Sequence, residues 1–100
     1  MWKVEIHPLV WEEDFVRFDI HTRVRITKAI RSKLTTHPTE FGKPLTGPLR
    51  GYWRLRVDAY RVIYRVEQHR LVVLVIKVGV RRDAQIYTEA IPRLRKLGWL

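Results

Sequence analysis

A chain of 100 residues, 46% hydrophobic and 30% charged, has the size and balance of a single domain (residues 1–100) with one core; without cysteine it excludes disulfide staples and cysteine-ligated metal sites. No segment approaches the roughly 18 uninterrupted apolar residues of a membrane span, and the opening "MWKVEIHP" lacks a signal-peptide apolar run, so a cytoplasmic protein with no membrane partner is expected. The formal net charge of +10 is unevenly spread: residues 1–40 hold seven Lys/Arg and six Asp/Glu, residues 41–100 thirteen and four.

"WKVEIH" (2–7) alternates Trp2, Val4 and Ile6 with Lys3, Glu5 and His7, a short half-buried strand ended by Pro8. Trp11, Phe15 and Phe18 then recur at i, i+4, i+7, and Glu12, Glu13 and Asp14 suit a helix's first turns. A second helix is expected from about Ile20 to Thr35. Val24, Ile26, Ala29, Ile30 and Leu34 would face inward, and Arg23, Arg25, Lys28 and Arg31 mostly outward. "THP" stops it, because a residue before proline is pushed out of helical geometry.

"HPTEFGKPLTGPLRG" (37–51) has three prolines and three glycines and is a long connector, with Leu45 and Leu49 tucking it down. The next stretch, "GYWRLRVDAYRVIYRV" (51–66), is a hairpin with Asp58-Ala59 at its tip. Alternating outward from that tip, Trp53, Leu55, Val57, Tyr60, Val62, Tyr64 and Val66 share one face. Tyr52, Arg54, Arg56, Arg61, Ile63 and Arg65 share the other. "LVVLVIKV" (71–78) is apolar on both faces, which marks a central strand covered on both sides. The cover over the arginine face must come from the C-terminal segment, "RRDAQIYTEAI" (81–91), with Asp83 as its cap and Ile86 and Ala90 on one stripe. Pro92 predicts a break or kink near there, with "RLRKLGWL" loosely held. Trp2, Trp11 and Trp53 are expected in the core. The fold class is therefore α+β, with two helices on one face of an antiparallel sheet of about four strands and a short C-terminal helix on the other.

On the arginine face Arg56 and Arg61 stand directly opposite each other, and like charges at such positions repel. No acid shares that face; Glu67 lies at its end and Asp58 at the turn. Together with the segregated charge, this suits a nucleic acid or another phosphate, or an acidic partner, or a merely solvated face. Arg81, Arg82 and Tyr87 brought over the same face favour single-stranded RNA: guanidinium forks match phosphate oxygens and a phenol ring stacks on an unpaired base. His7, His21, His37 and His69 have no metal-ligand spacing, and "FGKPLTGPLRG" lacks the Gly-Lys-Ser/Thr ending of a phosphate loop. Neither a metal nor another cofactor is expected.

"KPLTGPLRGYWRLRVDAYRVIYRV" followed by "LVVLVIKVGVRRDAQIYTEA" resembles the RelE-type toxins of bacterial and archaeal toxin–antitoxin pairs. The markers are a Leu-x-Gly loop, the Tyr60-Arg61-Tyr64 strand, and a V-G-x-R run followed six residues later by Tyr87. The resemblance implies a ribosome-dependent endoribonuclease that cuts mRNA in the decoding site and is silenced by a cognate antitoxin protein. It implies metal-free chemistry, in which the ribose 2′-OH attacks the adjacent phosphate to leave a cyclic phosphate and a 5′-OH end. By the same resemblance Arg61 grips the phosphate, Arg81 stabilises the transition state or protonates the leaving oxygen, and Tyr87 stacks on the base. Arg54 stands where many members have a strand lysine, and Arg56, Arg65, Arg82 and Tyr52 are further RNA contacts. Two positions depart from the family. Tyr52 replaces a lysine proposed as general base, and a phenol titrating near pH 10 is a poor substitute. Val80 replaces a common Lys or His, so the base stays unassigned. Two other functions fit the same residues: a gyrase-poisoning toxin of the same fold that cuts no RNA, and a plain basic RNA-binding protein.

Overall fold

The computed structural model describes residues 1–80 and 83–100. Arg81, Arg82 and the side chain of Asp83, the expected cap, lie outside the described residues. Five strands form one sheet: β1 (Lys3–Ile6), β2 (Lys43–Pro44), β3 (Tyr52–Val57), β4 (Tyr60–Glu67) and β5 (Val72–Val80), in the order β1-β5-β4-β3-β2. The sheet departs from the expected antiparallel four in two ways. β1 pairs with β5 in parallel, and the connector contributes β2, whose Lys43 and Pro44 sit opposite Arg54 and Trp53. A two-residue strand has no alternation to read, and the alternation of β1 carries no direction.

The central hairpin has the expected register: Tyr52 faces Arg65, Arg54 faces Ile63 and Arg56 faces Arg61. Asp58 turns the chain in the left-handed region (φ 53°), where a short polar side chain is tolerated. Between β4 and β5 the register slips, with Ile63 opposite Lys77 but Tyr64 opposite Val75, so Ile76 is the extra residue of a bulge. The bulge lets Ile76 fill the core on the arginine face while its neighbour Lys77 reaches the edge of that face.

Each face has its own core. On the first, α1 (Ile20–Leu34) buries Ile26, Ile30 and Leu34 against Leu55, Val62, Tyr64, Val73 and Val75. Asp19 caps α1 by accepting from the Thr22 amide, which holds its carboxyl below the usual range. Val24, expected inward, is 50% exposed. The helix expected around Trp11 is also different: Val10–Asp14 is a widened π-type turn and Phe15–Arg17 a tight 3₁₀ turn. This pair of turns buries Asp14 and Phe15 together and leaves Trp11 46% exposed, contrary to its expected core position.

On the arginine face lies α3 (Asp83–Lys96), whose Ile86, Ala90 and Leu94 pack on Leu49, Tyr52, Ile63 and Ile76. It continues past Pro92, so the chain does not break there, one of the two outcomes, break or kink, that the proline predicted. Proline removes one backbone bond, but Leu94 beyond it is fully buried, and the i, i+4, i+8 stripe outweighs that loss. The end is closed by Gly98 at φ 76°, whose amide donates to the Arg95 carbonyl while that of Trp99 donates to Leu94, a Schellman cap. The supposedly loose tail is therefore anchored.

Candidate nucleic-acid interface

The connector starts beside the α1 face and comes round to the arginine face, and three contacts hold it along the way. α2 (Pro38–Phe41) ends at Gly42, where a Cβ would lie 1.7 Å from the Tyr64 hydroxyl oxygen. That hydroxyl donates to the Pro38 carbonyl at 2.6 Å, and burial drives its pKa well above the usual tyrosine value. Beyond it the Leu45 amide donates to the Tyr52 carbonyl, and Leu49 is buried in the core under α3. The connector and α3 thus stand as two banks on the same face.

Between them runs a groove of about 450 Å³ whose lining includes Lys43, Leu45, Arg54, Tyr87 and Ile91. Arg54 and Tyr87, from β3 and α3, were both expected at a site. Lys43 was not, yet its pairing with Arg54 puts a second cation on the same face. Its only sequence signal was a basic residue in a long loop. The groove is chemically split: an apolar and phenolic flank suited to a base, and an ammonium and guanidinium suited to a phosphate. Another groove, of about 420 Å³ on the far side of α3, is lined by Asp14, Asp19 and Glu89 against Arg17 and Lys77. Its three carboxylates make it the wrong environment for a phosphodiester.

The remaining expected residues are dispersed. Arg56 is exposed on the hairpin. Arg61 is only 9% exposed; its Nη1 donates to the Asp58 and Tyr60 carbonyls, bracing the hairpin tip, and its partner across the ladder is Gly79. The space over Gly79 is taken by Ile86 of α3. Arg65 pairs with Glu67 at 3.0 Å and stacks on Trp99 at 4.6 Å. The hydrogen bond from Arg65, then that from Arg70, holds the Glu67 carboxyl below the usual range against the pull of desolvation. Tyr52 is 5% exposed and donates its hydroxyl to the Trp99 carbonyl at 2.9 Å. Arg54 and Tyr87 therefore share one groove, while Arg61, Arg65 and Tyr52 are engaged within the fold.

Missed altogether was the cluster that fixes α3. Asp14, 3% exposed, accepts from Lys77 at 3.1 Å, from the Val78 amide at 2.9 Å and from both terminal nitrogens of Arg93 at 2.7 and 2.9 Å. Glu13 and Glu89 pair with Arg93 and Lys77 at its margins. Burial works against the Arg93 charge, but hydrogen bonds and charge from Asp14 and then Glu13 outweigh it and raise its pKa.

Residues 4–85 match the family of ParE toxins of type II toxin–antitoxin systems. A 41-residue stretch is 42% identical to the mRNA interferase toxin RelE of Escherichia coli K12; it covers 41% of this chain and 43% of that one, so the match spans less than half of the curated relative. In three dimensions the chain is similar to a chain of the RelBE2 toxin–antitoxin complex of Mycobacterium tuberculosis, with a TM-score of 0.75, 22% identity and coverage of 80% and 98% of the two chains. It is also similar to the isolated E. coli RelE toxin, with a TM-score of 0.65, 22% identity and coverage of 94% and 99%. With the family matched over most of its length, the chain belongs to the ParE toxin family of type II toxin–antitoxin systems and shares the fold of RelE toxins.

Proposed function

We propose that this toxin is a ribosome-dependent mRNA endoribonuclease that cuts by metal-independent attack of a ribose 2′-OH on the adjacent phosphate. The observation that carries it is the groove that joins Arg54, Lys43 and Tyr87 on the arginine face. Support comes also from the stretch shared with a relative described as an mRNA interferase. In this reaction the 2′ oxygen bonds to phosphorus, the 5′ oxygen leaves with a proton, and the products are a cyclic phosphate and a 5′-OH. Arg54 and Lys43 offset the charge gathering on the phosphorane, and Tyr87 holds the base so that the attack is in line. Arg61 acts by bracing the hairpin that carries Arg54, and Arg81 stabilises the transition state, as the family resemblance implies. Tyr52, buried and hydrogen-bonded, is ill placed to take the 2′-OH proton. The cognate antitoxin is the partner that silences the toxin, and mRNA in the decoding site is the substrate.

Arg54→Ala and Tyr87→Ala should each lower cleavage by about 10²-fold or more, the usual size of losing one transition-state contact. Primer extension on mRNA after induction reads this directly; codon-positioned cuts that persist at full strength in both variants would sink it. The family match as a ParE toxin supports a second function, gyrase poisoning without RNA cleavage. Under that alternative induction yields no mRNA cuts, and the purified chain inhibits supercoiling by gyrase.

A further inference from the structure

Tyr52 and Arg65 stand opposite each other on β3 and β4, and Tyr52 is two residues along its strand from Arg54 of the groove. Two residues of strand span about 7 Å, so the pair adjoins the groove on the same face. What covers it is the turn after α3. The indole of Trp99 lies over the Arg65 guanidinium, with Cζ 4.6 Å from the ring centroid, and meets the His7 ring edge-on at 5.6 Å. The Trp99 carbonyl accepts from the Tyr52 hydroxyl at 2.9 Å. A flat ring on a guanidinium plane, with a hydrogen-bond donor at its margin, is how unpaired RNA bases are held.

The indole satisfies this setting incompletely. The Arg65 Nε is buried without a hydrogen-bond partner, and an indole, which carries a donor and no acceptor, cannot supply one. A nucleoside has acceptors on both base and ribose. Glu67, 3.0 Å from Nη2, already offsets the Arg65 charge, so the place suits an uncharged base better than a phosphate. The anchor of Trp99 is also of a kind that can open. It consists of the stack, the Tyr52 hydroxyl and the Leu94 carbonyl, with exposed Gly98 at φ 76° as the hinge before it. We propose that Arg65, Tyr52 and His7 form a nucleobase subsite for single-stranded RNA, adjoining the groove, which Trp99 fills in place of a base until RNA displaces it. The chain thereby limits its own grip on RNA. The inference rests on RNA following the arginine face, as proposed above, and not on cleavage.

The test is binding of a fluorescent single-stranded RNA of about 20 nucleotides, a length exceeding one binding site, to the full chain. Trp99→Ala should tighten binding by about fivefold or more, the size of one base stack. Arg65→Ala should change the affinity of the parent by about twofold at most, yet cancel the gain when combined with Trp99→Ala. Trp99→Leu keeps apolar bulk without a flat ring; it serves where alanine unsettles the fold and should act in the same direction. Adenosine, titrated by NMR, should shift the His7 ring resonances in Trp99→Ala and leave those of the parent in place. Equal or weaker RNA binding by both Trp99 variants, as a purely structural anchor would give, overturns the inference. So does a gain that survives Arg65→Ala. A parent that cuts no mRNA overturns the proposed nuclease, while the adenosine shifts at His7 still decide the subsite.

Discussion

At the scale of single residues, the Asp14 carboxylate has left water almost entirely and survives because three donors surround it: Lys77, Arg93 and the Val78 amide. Withdrawing a charge from water costs several kcal/mol, which only dense pairing offsets. Removing the acid leaves two buried cations facing each other across its place. Asp14→Ala should therefore destabilise the chain by about 3–5 kcal/mol, read from the midpoint of urea unfolding; a change within experimental error would refute this account of the cluster. Tyr64 illustrates a similar economy. Although part of the strand motif that carries the family resemblance, its hydroxyl is spent on the Pro38 carbonyl, over a glycine with no room for a side chain.

At the scale of elements, α3 is stabilised by what it covers and not by its own backbone. Pro92 sits exposed in its third turn, where proline costs about 3 kcal/mol relative to alanine. Pro92→Ala should raise stability, by up to about 3 kcal/mol and less if the surrounding turn has already adapted. A lowered melting temperature would show that the proline shapes the packing of Leu94. For α1, the cap makes a pH prediction. The Asp19 carboxyl is held below its ordinary value of 3.8, so the folded chain binds a proton less readily there than the unfolded chain. The stabilisation from the cap is complete above that value and fades as pH falls through the lower, folded one. The gap in melting temperature between the parent and Asp19→Ala should be constant near neutrality and narrow below about pH 4. A gap that persists unchanged under strong acid would deny the carboxylate its role.

At the scale of the whole molecule, the sheet divides the chain's work. One face carries α1 and its exposed stripe. The other carries α3, the connector and the groove between them. Thirteen of the twenty Lys/Arg follow residue 40, and among the described residues Lys43 and Arg54 line the groove on the arginine face while Arg56 is exposed on the hairpin beside Arg54. If these meet RNA phosphates, affinity should fall steeply with salt, and losing one of them should flatten the log–log slope by about 0.7. Filter binding across a salt series for Lys43→Ala and the parent measures it; identical slopes would place Lys43 off the phosphate path.

Period-2 alternation about Asp58-Ala59 was enough to assign every arginine of the hairpin to its face, because a pleated strand offers each side chain only two directions. The doubly apolar β5 likewise required a cover on the arginine face, and the C-terminal segment supplies it. Local pattern could not foresee the π-type turn that buries Asp14, the passage of α3 through Pro92, or the cross-strand meeting of Lys43 with Arg54. Each depends on a partner many residues away: Asp14 lies 63 positions before Lys77 and 79 before Arg93. Sequence alone determined which faces are apolar and which are charged, since that follows from the backbone's own period. Which charges stay open to a ligand, and which are consumed in holding the fold together, was decided only when distant segments packed and competed for the same ions.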